Sequence, residues 1–224
     1  MKFARIAFTL CLAAVCLTSL AMPVQLFASD PATAANIFMY PKPYKMAELV
    51  LQTPTGASVS LNDYRGRVVL LHFWSINCPA CRIEEPLLER LKHTFGPSGL
   101  EILAVNLVDP PQAIATHAAA QRMPFPVLFD GGRGFSLKVV DTGGKSTAFV
   151  LNPAKEAILE VPGFPTTYIV DGRGSVVGYS IGPARWDSGF AMGLIQNLLA
   201  DGRAYTPGVL RGGPKNASAG PHSR

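Results

Sequence analysis

The chain has 224 residues, enough for one domain with tails, and 48% of them are hydrophobic against 16% charged, which allows a substantial core. The formal charge is +5, but residues 29–201 contain 14 basic and 15 acidic side chains, a net charge of −1. Nothing in this balance suggests the strongly basic surface on which nucleic-acid binding depends.

The first 28 residues have the pattern of a targeting segment. Lys2 and Arg5 precede an apolar run over residues 6–20, and small residues suited to cleavage follow. We predict a cleaved export signal over residues 1–28. An uncleaved membrane anchor is the alternative, because residues 6–28 carry no charge and are long enough to span a bilayer.

A linker and then a β-hairpin are expected next. Residues 29–45 are rich in Ala and Pro, which is typical of a linker. Two short apolar runs at residues 48–51 and 58–61 flank a Pro- and Gly-containing turn at residues 53–56, and this pattern predicts a hairpin. The folded domain is therefore expected to begin at residue 46.

Two cysteines lie where a predicted buried strand, residues 68–73, leads into a predicted amphipathic helix, residues 79–95. The unpaired N–H groups and the dipole of a helix N-terminus favour a thiolate at Cys78. In Cys-x-x-Cys settings thiol pKa values fall from about 8.5 to roughly 3.5–7.5. We predict that Cys78 is the more exposed and more acidic thiol and attacks a disulfide, and that Cys81 resolves the mixed disulfide.

Two other interpretations of this cysteine pair are less well supported. A zinc site needs four ligands, but no second close cysteine pair exists and the four histidines are scattered. A purely structural disulfide would close too short a loop to stabilise the fold much. Cys11 and Cys16 lie in the leader, so a cleaved chain retains only Cys78 and Cys81. We therefore predict a redox site with no metal and no cofactor.

Downstream of the cysteines, strands and helices alternate, and the chain ends in a tail rich in Gly, Pro, Ala, Ser and basic residues that we expect to be disordered. The predicted elements are a strand at residues 100–107, a helix at 112–121, a strand at 126–129, a hairpin of 163–171 with 175–181, and a helix capped by Asp187 and running to Leu199.

The stretch from residue 130 to residue 160 is the least regular. Its glycines interrupt any long element, although residues 148–151 fit a strand and residues 153–159 fit a short helix. Residues 143–147 resemble the end of a phosphate-binding loop, but Val139 stands where that motif requires its first glycine. We therefore expect a glycine-rich surface loop there.

Together these motifs resemble the thioredoxin fold, and within it the exported thiol–disulfide oxidoreductases of the TlpA/ResA type. The resemblance covers residues 46–200. It is carried by residues 60–67, by the Cys-x-x-Cys segment at 73–86, and by the Gly-Phe-Pro-Thr-Thr segment at 163–167 with Asp171 and Gly172.

The resemblance implies an α/β fold, a central mixed sheet flanked by helices, with an N-terminal β-hairpin. About 15–20 residues near 138–161 exceed the usual family spacing, so we expect an insertion there that carries partner specificity. The implied division of the chain is a leader (1–28), a linker (29–45), a thioredoxin-like domain (46–201) and a disordered basic tail (202–224).

The resemblance also implies roles at matching positions. Cys78 would be the nucleophile, Cys81 the resolving thiol, and Glu84 an acid that tunes or relays protons to Cys81. An ordinary solvated helix acid is the alternative for Glu84. Pro165 would be a cis-proline facing the cysteines, and the backbone before it would pair with an extended substrate strand.

Three positions depart from the family pattern. Asn77 replaces the tryptophan usual before the first cysteine, and Phe164 is bulkier than the residue usual before the cis-proline. His72 stands where thioredoxins carry a buried acid, and it is either a satisfied core histidine or a proton relay. The residues expected to contact substrate are Trp74, Pro79, Phe164, Pro165 and Thr166.

We therefore expect a periplasmic protein thiol–disulfide oxidoreductase. The resemblance points to reducing pathways such as cytochrome c maturation, so we predict reduction of protein disulfides in apocytochrome c or another exported client. A reductase in an oxidising compartment also needs a membrane thiol as electron donor. We expect a monomer with no nucleic-acid partner.

The main alternative is a metallochaperone or assembly module that delivers copper from the same scaffold. Such a site would need a third ligand beside Cys78 and Cys81, and His72 is the nearest candidate in sequence. A peroxidase is disfavoured, because the Pro-x-x-x-Thr-x-x-Cys context of peroxiredoxins is absent.

Overall fold

The computed structural model of the chain describes residues 30–129, 138–141, 146–151 and 157–200. The predicted leader and the predicted basic tail lie outside these ranges. Within the described ranges, no helix combines the length and the apolar composition needed to cross a membrane.

Eleven strands and four α-helices make up the described part of the chain. The strands are β1 (Phe38–Lys45), β2 (Val50–Gln52), β3 (Ser58–Ser60), β4 (Val68–Trp74), β5 (Leu100–Asn106), β6 (Val127–Phe129), β7 (Lys138–Asp141), β8 (Ser146–Leu151), β9 (Ala157–Val161), β10 (Thr166–Val170) and β11 (Ser175–Ile181). The helices are α1 (Pro31–Ala34), α2 (Pro79–Phe95), α3 (Pro111–Gln121) and α4 (Gly189–Ala200), with 3₁₀ turns at Leu61–Tyr64 and Gly96–Ser98.

The main sheet has eight strands in the order β1-β11-β10-β4-β5-β6-β2-β3. Strands β4, β5 and β6 are parallel, whereas β10, β11 and β1 join antiparallel. Every residue of β4 and β5 is buried, as expected of parallel strands covered on both faces. This confirms the predicted mixed α/β sheet with its N-terminal hairpin of β2 and β3.

The two faces of the sheet have different coverings. Helices α2, α3 and α4 pack on one face, where Leu88, Ile114 and Ile195 join alternate residues of β4 such as Leu70 in one apolar cluster. The other residues of β4, such as Leu71, belong to a second cluster on the opposite face. Because side chains alternate along a strand, β4 serves both cores.

The insertion near residues 138–161 forms a second sheet, with the antiparallel order β7-β8-β9. Its Val150, Leu159 and Val161 are buried in the second cluster. The hydroxyl of Tyr168 donates to the carbonyl of Glu160 at 2.5 Å, which ties β9 to the main sheet. The insertion therefore supplies core, and its predicted role in partner specificity remains a prediction.

The predicted short helix at residues 153–159 is wrong where the chain is described, because Ala157–Val161 is a strand. Leu159 and Val161 are buried while Glu160 between them is exposed, which is the period of two of a half-buried strand. That alternation is visible in the sequence and is the signal that the prediction missed.

The predicted linker over residues 29–45 is also wrong from residue 31 onward. Helix α1 and strand β1 occupy this stretch, and β1 pairs antiparallel with β11. Ile37, which lies between α1 and β1 in the chain, is fully buried. The strand tolerates Pro41 and Pro43 because it lies at the sheet edge and its register shifts between Met39 and Tyr44. The Pro content that suggested a linker is the signature of an edge strand.

Helix α4 is capped by a different residue from the one predicted. The hydroxyl of Ser188 accepts the N–H of Ala191 at 3.1 Å, which is the N-cap bond. The predicted cap, Asp187, instead accepts a 3.1 Å hydrogen bond from Nε of Arg185. The short polar residue directly before the apolar stripe was the correct choice.

Replacing Leu159 by Ala tests whether the insertion is core. We expect Leu159→Ala to lower the free energy of unfolding by about 2–5 kcal/mol, because it leaves a cavity between the two sheets. The exposed neighbour provides a matched control, and Glu160→Ala should change the same quantity by less than about 0.5 kcal/mol. Urea titration followed by circular dichroism measures both, and equal effects would show that the insertion does not pack as described.

Candidate active site

The two cysteines lie at the start of α2, directly beyond the carboxyl end of β4. Cys78 is the N-cap residue, with extended backbone angles, and Pro79 occupies the first turn, where its missing N–H costs nothing. Cys78 and Cys81 are joined by a disulfide, with their Cα atoms 5.3 Å apart. The backbone N–H of Cys81 donates to Sγ of Cys78 at 3.0 Å. The sulfur thus takes the place of the oxygen that usually caps a helix.

The sulfurs differ in access, but less than predicted. Cys78 is 8% exposed and Cys81 is fully buried. The expectation of an exposed Cys78 is therefore too strong, although Cys78 is the more accessible of the two. Its neighbours Asn77 and Pro79 are exposed, so Cys78 lies next to the protein surface.

A polar cluster that the sequence analysis missed holds the loop before Cys78. Oδ2 of Asp109 accepts the N–H of Ile76 at 2.9 Å and Nδ2 of Asn106 at 2.8 Å. Oδ1 of Asn106 in turn accepts the N–H of Asp109 at 2.9 Å. Because β4 and β5 are parallel, their carboxyl ends meet, and an Asn and an Asp three residues apart at the end of β5 was the available signal.

The predicted cis-proline is confirmed, since the Phe164–Pro165 peptide bond is cis. Thr166 pairs with Phe73 of β4 and with Ile181 of β11, which places Pro165 at the same edge of the sheet as the cysteines. The carbonyl of Pro165 accepts the N–H of Gly182 at 2.8 Å. Phe164 lies ahead of the paired residues of β10 and is half-buried.

Two of the predicted substrate contacts conflict with the structure. Trp74 is 1% exposed and its ring packs on His117, with centroids 5.3 Å apart. Thr166 is fully buried, and its hydroxyl donates to the carbonyl of Gly163 at 2.7 Å. Neither side chain faces an incoming substrate, because both complete the packing beneath the site. Pro165 is also buried, whereas Phe164 is half-buried and Pro79 is exposed, and substrate contacts from these three residues remain predictions.

Glu84 is not a solvated helix acid, which corrects the alternative interpretation. It is fully buried on α2, one turn beyond Cys81. Its Oε1 accepts Nε1–H of Trp186 and, at 3.3 Å, the N–H of Ala184, while Oε2 is buried without a hydrogen-bond partner. Burial raises the pKa of Glu84 to about 7, against the opposing effect of these two donors. Residues three apart on a helix are neighbours on its surface, so the spacing places Glu84 and Cys81 on the same side of α2.

His72 is a buried core histidine on β4. Its Nδ1 lies 2.9 Å from the hydroxyl oxygen of Thr167 on β10, and Nε2 has no hydrogen-bond partner. Burial lowers its pKa to about 3, so the ring is neutral. In the part of the chain that the structure describes, no group of three or more His, Cys, Asp or Glu side chains could hold a metal ion.

Comparison with known proteins gives a family for this arrangement. The model of the AhpC/TSA family matches residues 44–178, more than half of the chain. The chain belongs to the AhpC/TSA family.

Two curated relatives are thiol-disulfide oxidoreductases named ResA. That of Halalkalibacterium halodurans is 30% identical over 128 residues, which cover 57% of this chain and 61% of the relative. That of Bacillus subtilis is 30% identical over 121 residues, covering 54% of this chain and 67% of the relative. The chain thus spans about two thirds or less of the length of these relatives.

A solved structure supports the fold. The thiol:disulfide interchange protein of the thioredoxin family from Chlorobium tepidum TLS superposes with a TM-score of 0.52 at 20% identity, covering 70% of this chain and 97% of that one. At this identity the likeness shows the fold alone, and it confirms the thioredoxin fold predicted from the motifs.

Alkylation of the reduced protein tests the difference in access between the sulfurs. We expect iodoacetamide to modify Cys78 first, because Cys81 is fully buried behind it. Mass spectrometry of peptides after short exposure measures the order. In Cys78→Ser the remaining Cys81 should react slowly until urea unfolds the protein. Preferential modification of Cys81 in the folded protein would contradict the described geometry.

The buried acid predicts how stability depends on pH. Because the pKa of Glu84 rises from 4.5 to about 7, the folded protein keeps a proton in this window that the unfolded chain has lost. The free energy of unfolding therefore falls as pH rises through the window, by about 3 kcal/mol for this group. Glu84→Gln should remove that decrease.

Urea titrations of the oxidised protein at pH 5 and pH 8 measure the effect. The quantity compared is the change in the free energy of unfolding between the two pH values within each protein. Any effect of the glutamine amide on stability that does not depend on pH therefore cancels. An equal decrease in the unaltered protein and in Glu84→Gln would show that Glu84 keeps an ordinary pKa in the fold.

Proposed function

We propose that the protein is a thiol–disulfide oxidoreductase that reduces disulfides in exported proteins. The observation that carries this proposal is the Cys78–Cys81 disulfide at the N-terminus of α2, with Cys78 partly accessible and Cys81 buried. The relatives named ResA support the same chemistry. The activity, the substrate and the partners of the whole protein are all part of this proposal.

The proposed reaction conserves atoms and electrons. In the reduced protein the Cys78 thiolate attacks one sulfur of a client disulfide, which forms a mixed disulfide and releases the other client sulfur as a thiolate. Cys81 then loses its proton and attacks Sγ of Cys78, which closes the Cys78–Cys81 disulfide and releases the second client thiol. Two electrons pass from the protein dithiol to the client.

Glu84 supports the second step. The resolving thiol must give up a proton within a buried site, and Oε2 of Glu84 is a buried oxygen without a partner, one turn away. A carboxyl with a pKa of about 7 exchanges protons readily near neutral pH. Glu84 would thus act as the acid or base for Cys81.

The same acid favours the reducing direction. A dithiol protein becomes a strong oxidant when its thiolate form is stabilised, as in DsbA. An ionised carboxylate beside Cys81 has the opposite effect, because like charges in a buried site destabilise each other. Glu84 therefore biases the couple toward the disulfide form and makes the dithiol a better electron donor.

Client binding would use the edge of the sheet around the cis-proline. An extended client segment would lie along the backbone that precedes Pro165, in the manner of strand addition, with Phe164 and Pro79 as apolar contacts beside Cys78. Apocytochrome c or another exported protein would be the client. Because an extracytoplasmic compartment is oxidising, a membrane thiol donor would restore the dithiol.

Redox titration together with a trapping variant tests the proposal. We expect the Cys78–Cys81 couple to lie near the thioredoxin value of about −270 mV and the protein to reduce insulin disulfides. Cys78→Ser should abolish the activity. Cys81→Ser should form a mixed disulfide through Cys78 that is not released, and mass spectrometry of the trapped species identifies the client.

Two results would overturn parts of the proposal. A couple near the DsbA value of about −120 mV would exclude the reductase direction. Full insulin reduction by Cys78→Ser would exclude Cys78 as the nucleophile.

A further inference from the structure

The carboxyl group of Glu84 is held asymmetrically by a single loop. Trp186 and Ala184 lie in the connection between β11 and α4, and both donate N–H groups to the same oxygen, Oε1. Trp186 is fully buried, so its indole N–H has no access to water. The second oxygen, Oε2, is equally buried and has no partner.

This asymmetry determines which oxygen can exchange a proton. An oxygen that already accepts two N–H donors is a poor site for a proton, because a proton there would displace a donor. Oε2 has both its lone pairs free. A fixed Oε1 also fixes the plane of the carboxyl, and thereby the direction in which Oε2 points.

We infer that Trp186 is a positioning residue for the redox reaction, which holds Oε1 of Glu84 so that Oε2 is the oxygen that exchanges a proton with Cys81. This inference rests on the proposed function, in which Cys81 must lose a proton to resolve the mixed disulfide. It adds a residue more than 100 positions downstream of the cysteines to the machinery of the site.

The loop that carries Trp186 is anchored independently of Glu84. The N–H of Arg185 donates to the carbonyl of Ala35 at 2.9 Å, and the N–H of Ser188 donates to the carbonyl of Arg185 at 2.9 Å. Loss of the indole N–H should therefore leave the loop in place. The effect of such a change would act on the carboxyl rather than on the backbone.

Few other charges act on Glu84. Helix α4 contributes none, because no residue of Gly189–Ala200 is ionisable. Arg185 and Asp187 flank Trp186 but are exposed and paired with each other at 3.1 Å. On β4, His72 is neutral. On α2 itself the neighbouring ionisable groups are Cys81, the exposed Arg82 and the half-buried Glu85. The carboxyl oxygen of Glu85 lies 3.8 Å from Nε2 of His117 on α3.

Trp186→Phe removes the donor and keeps an aromatic side chain. A hydrogen bond to the carboxylate favours the ionised form, so we expect its loss to raise the pKa of Glu84 by about 1. Carbon-13 NMR of the glutamate carboxyls measures this value in the oxidised protein, where the cysteines do not titrate. Glu84→Gln assigns the signal by removing it.

Trp74→Phe is the matched control. Trp74 is also buried, but its Nε1 has no hydrogen-bond partner, so this variant loses the same volume and no bond to a carboxyl. We expect it to leave the pKa of Glu84 within about 0.3 of that in the unaltered protein, because it removes no hydrogen-bond donor to the carboxyl. An equal change in both variants, or no change in Trp186→Phe, would overturn the inference.

The reaction itself provides the second readout. In rapid-mixing experiments with a client disulfide, the pH midpoint of the Cys81 resolution step should rise in Trp186→Phe together with the carboxyl pKa. A midpoint that stays constant while the carboxyl pKa changes would show that Oε2 does not exchange the proton. If Trp186→Phe fails to fold, replacement of Trp186 by benzothienylalanine keeps the ring shape, substitutes sulfur for N–H and permits the same measurements.

The two hypotheses fail in different ways. Absence of insulin reduction by the unaltered protein refutes the proposed function, and with it the role of Oε2 in that reaction. Normal insulin reduction with an unchanged carboxyl pKa in Trp186→Phe refutes only the inference about Trp186.

Discussion

The hydrogen bond from the N–H of Cys81 to Sγ of Cys78 connects the fold to the chemistry of the site. It exists because β4 is buried on both faces, ends at Trp74 and delivers the chain to the start of α2 within four residues. The helix N-terminus needs acceptors, and here a sulfur provides one. In the proposed reaction the same N–H would stabilise negative charge on Sγ of Cys78. The capping of the helix and the proposed activation of the Cys78 thiol therefore use the same interaction.

A second constraint opposes the first. The helix N-terminus favours a thiolate at Cys78, whereas the buried carboxyl of Glu84 disfavours negative charge near Cys81 when it is ionised. The two sulfurs are thus placed in different electrostatic surroundings only one turn apart. Burial of Glu84 costs stability as pH rises through its titration. In the proposed reaction this cost places an acid that can exchange protons where water has no access.

Much of the fold follows from local sequence, and the reason is physical. The apolar run of β4, the stripe of leucines on α2 and the β-branched β10 each show their own period, so these elements were predicted within a few residues. The cis bond before Pro165 and the hairpin of β2 and β3 were also predicted, from the resemblance and from turn residues. The errors lie where local composition conflicts with tertiary pairing. Edge strand β1 contains prolines, and β9 follows a glycine-rich stretch.

The site was only partly predictable for a related reason. Cys78 and Cys81 are only three positions apart in sequence, so their spacing reveals them. The hydrogen bonds that fix the site join distant positions, such as Asp109 to Ile76 and Trp186 to Glu84. No local pattern encodes such a pair, because it depends on which strand ends and loops meet at one edge of the sheet. Burial of Glu84 likewise depends on the loop before α4.

Among the described residues, Phe164 connects the two apolar clusters beside the site. Phe164, which directly precedes the cis-proline, packs against both the cluster beneath α2 and the cluster that includes the inserted sheet. The insertion and the cysteines lie on opposite faces of the main sheet, so Phe164 is a physical connection between them. A bulky residue at this position fills the space between two cores, which a smaller one would leave open.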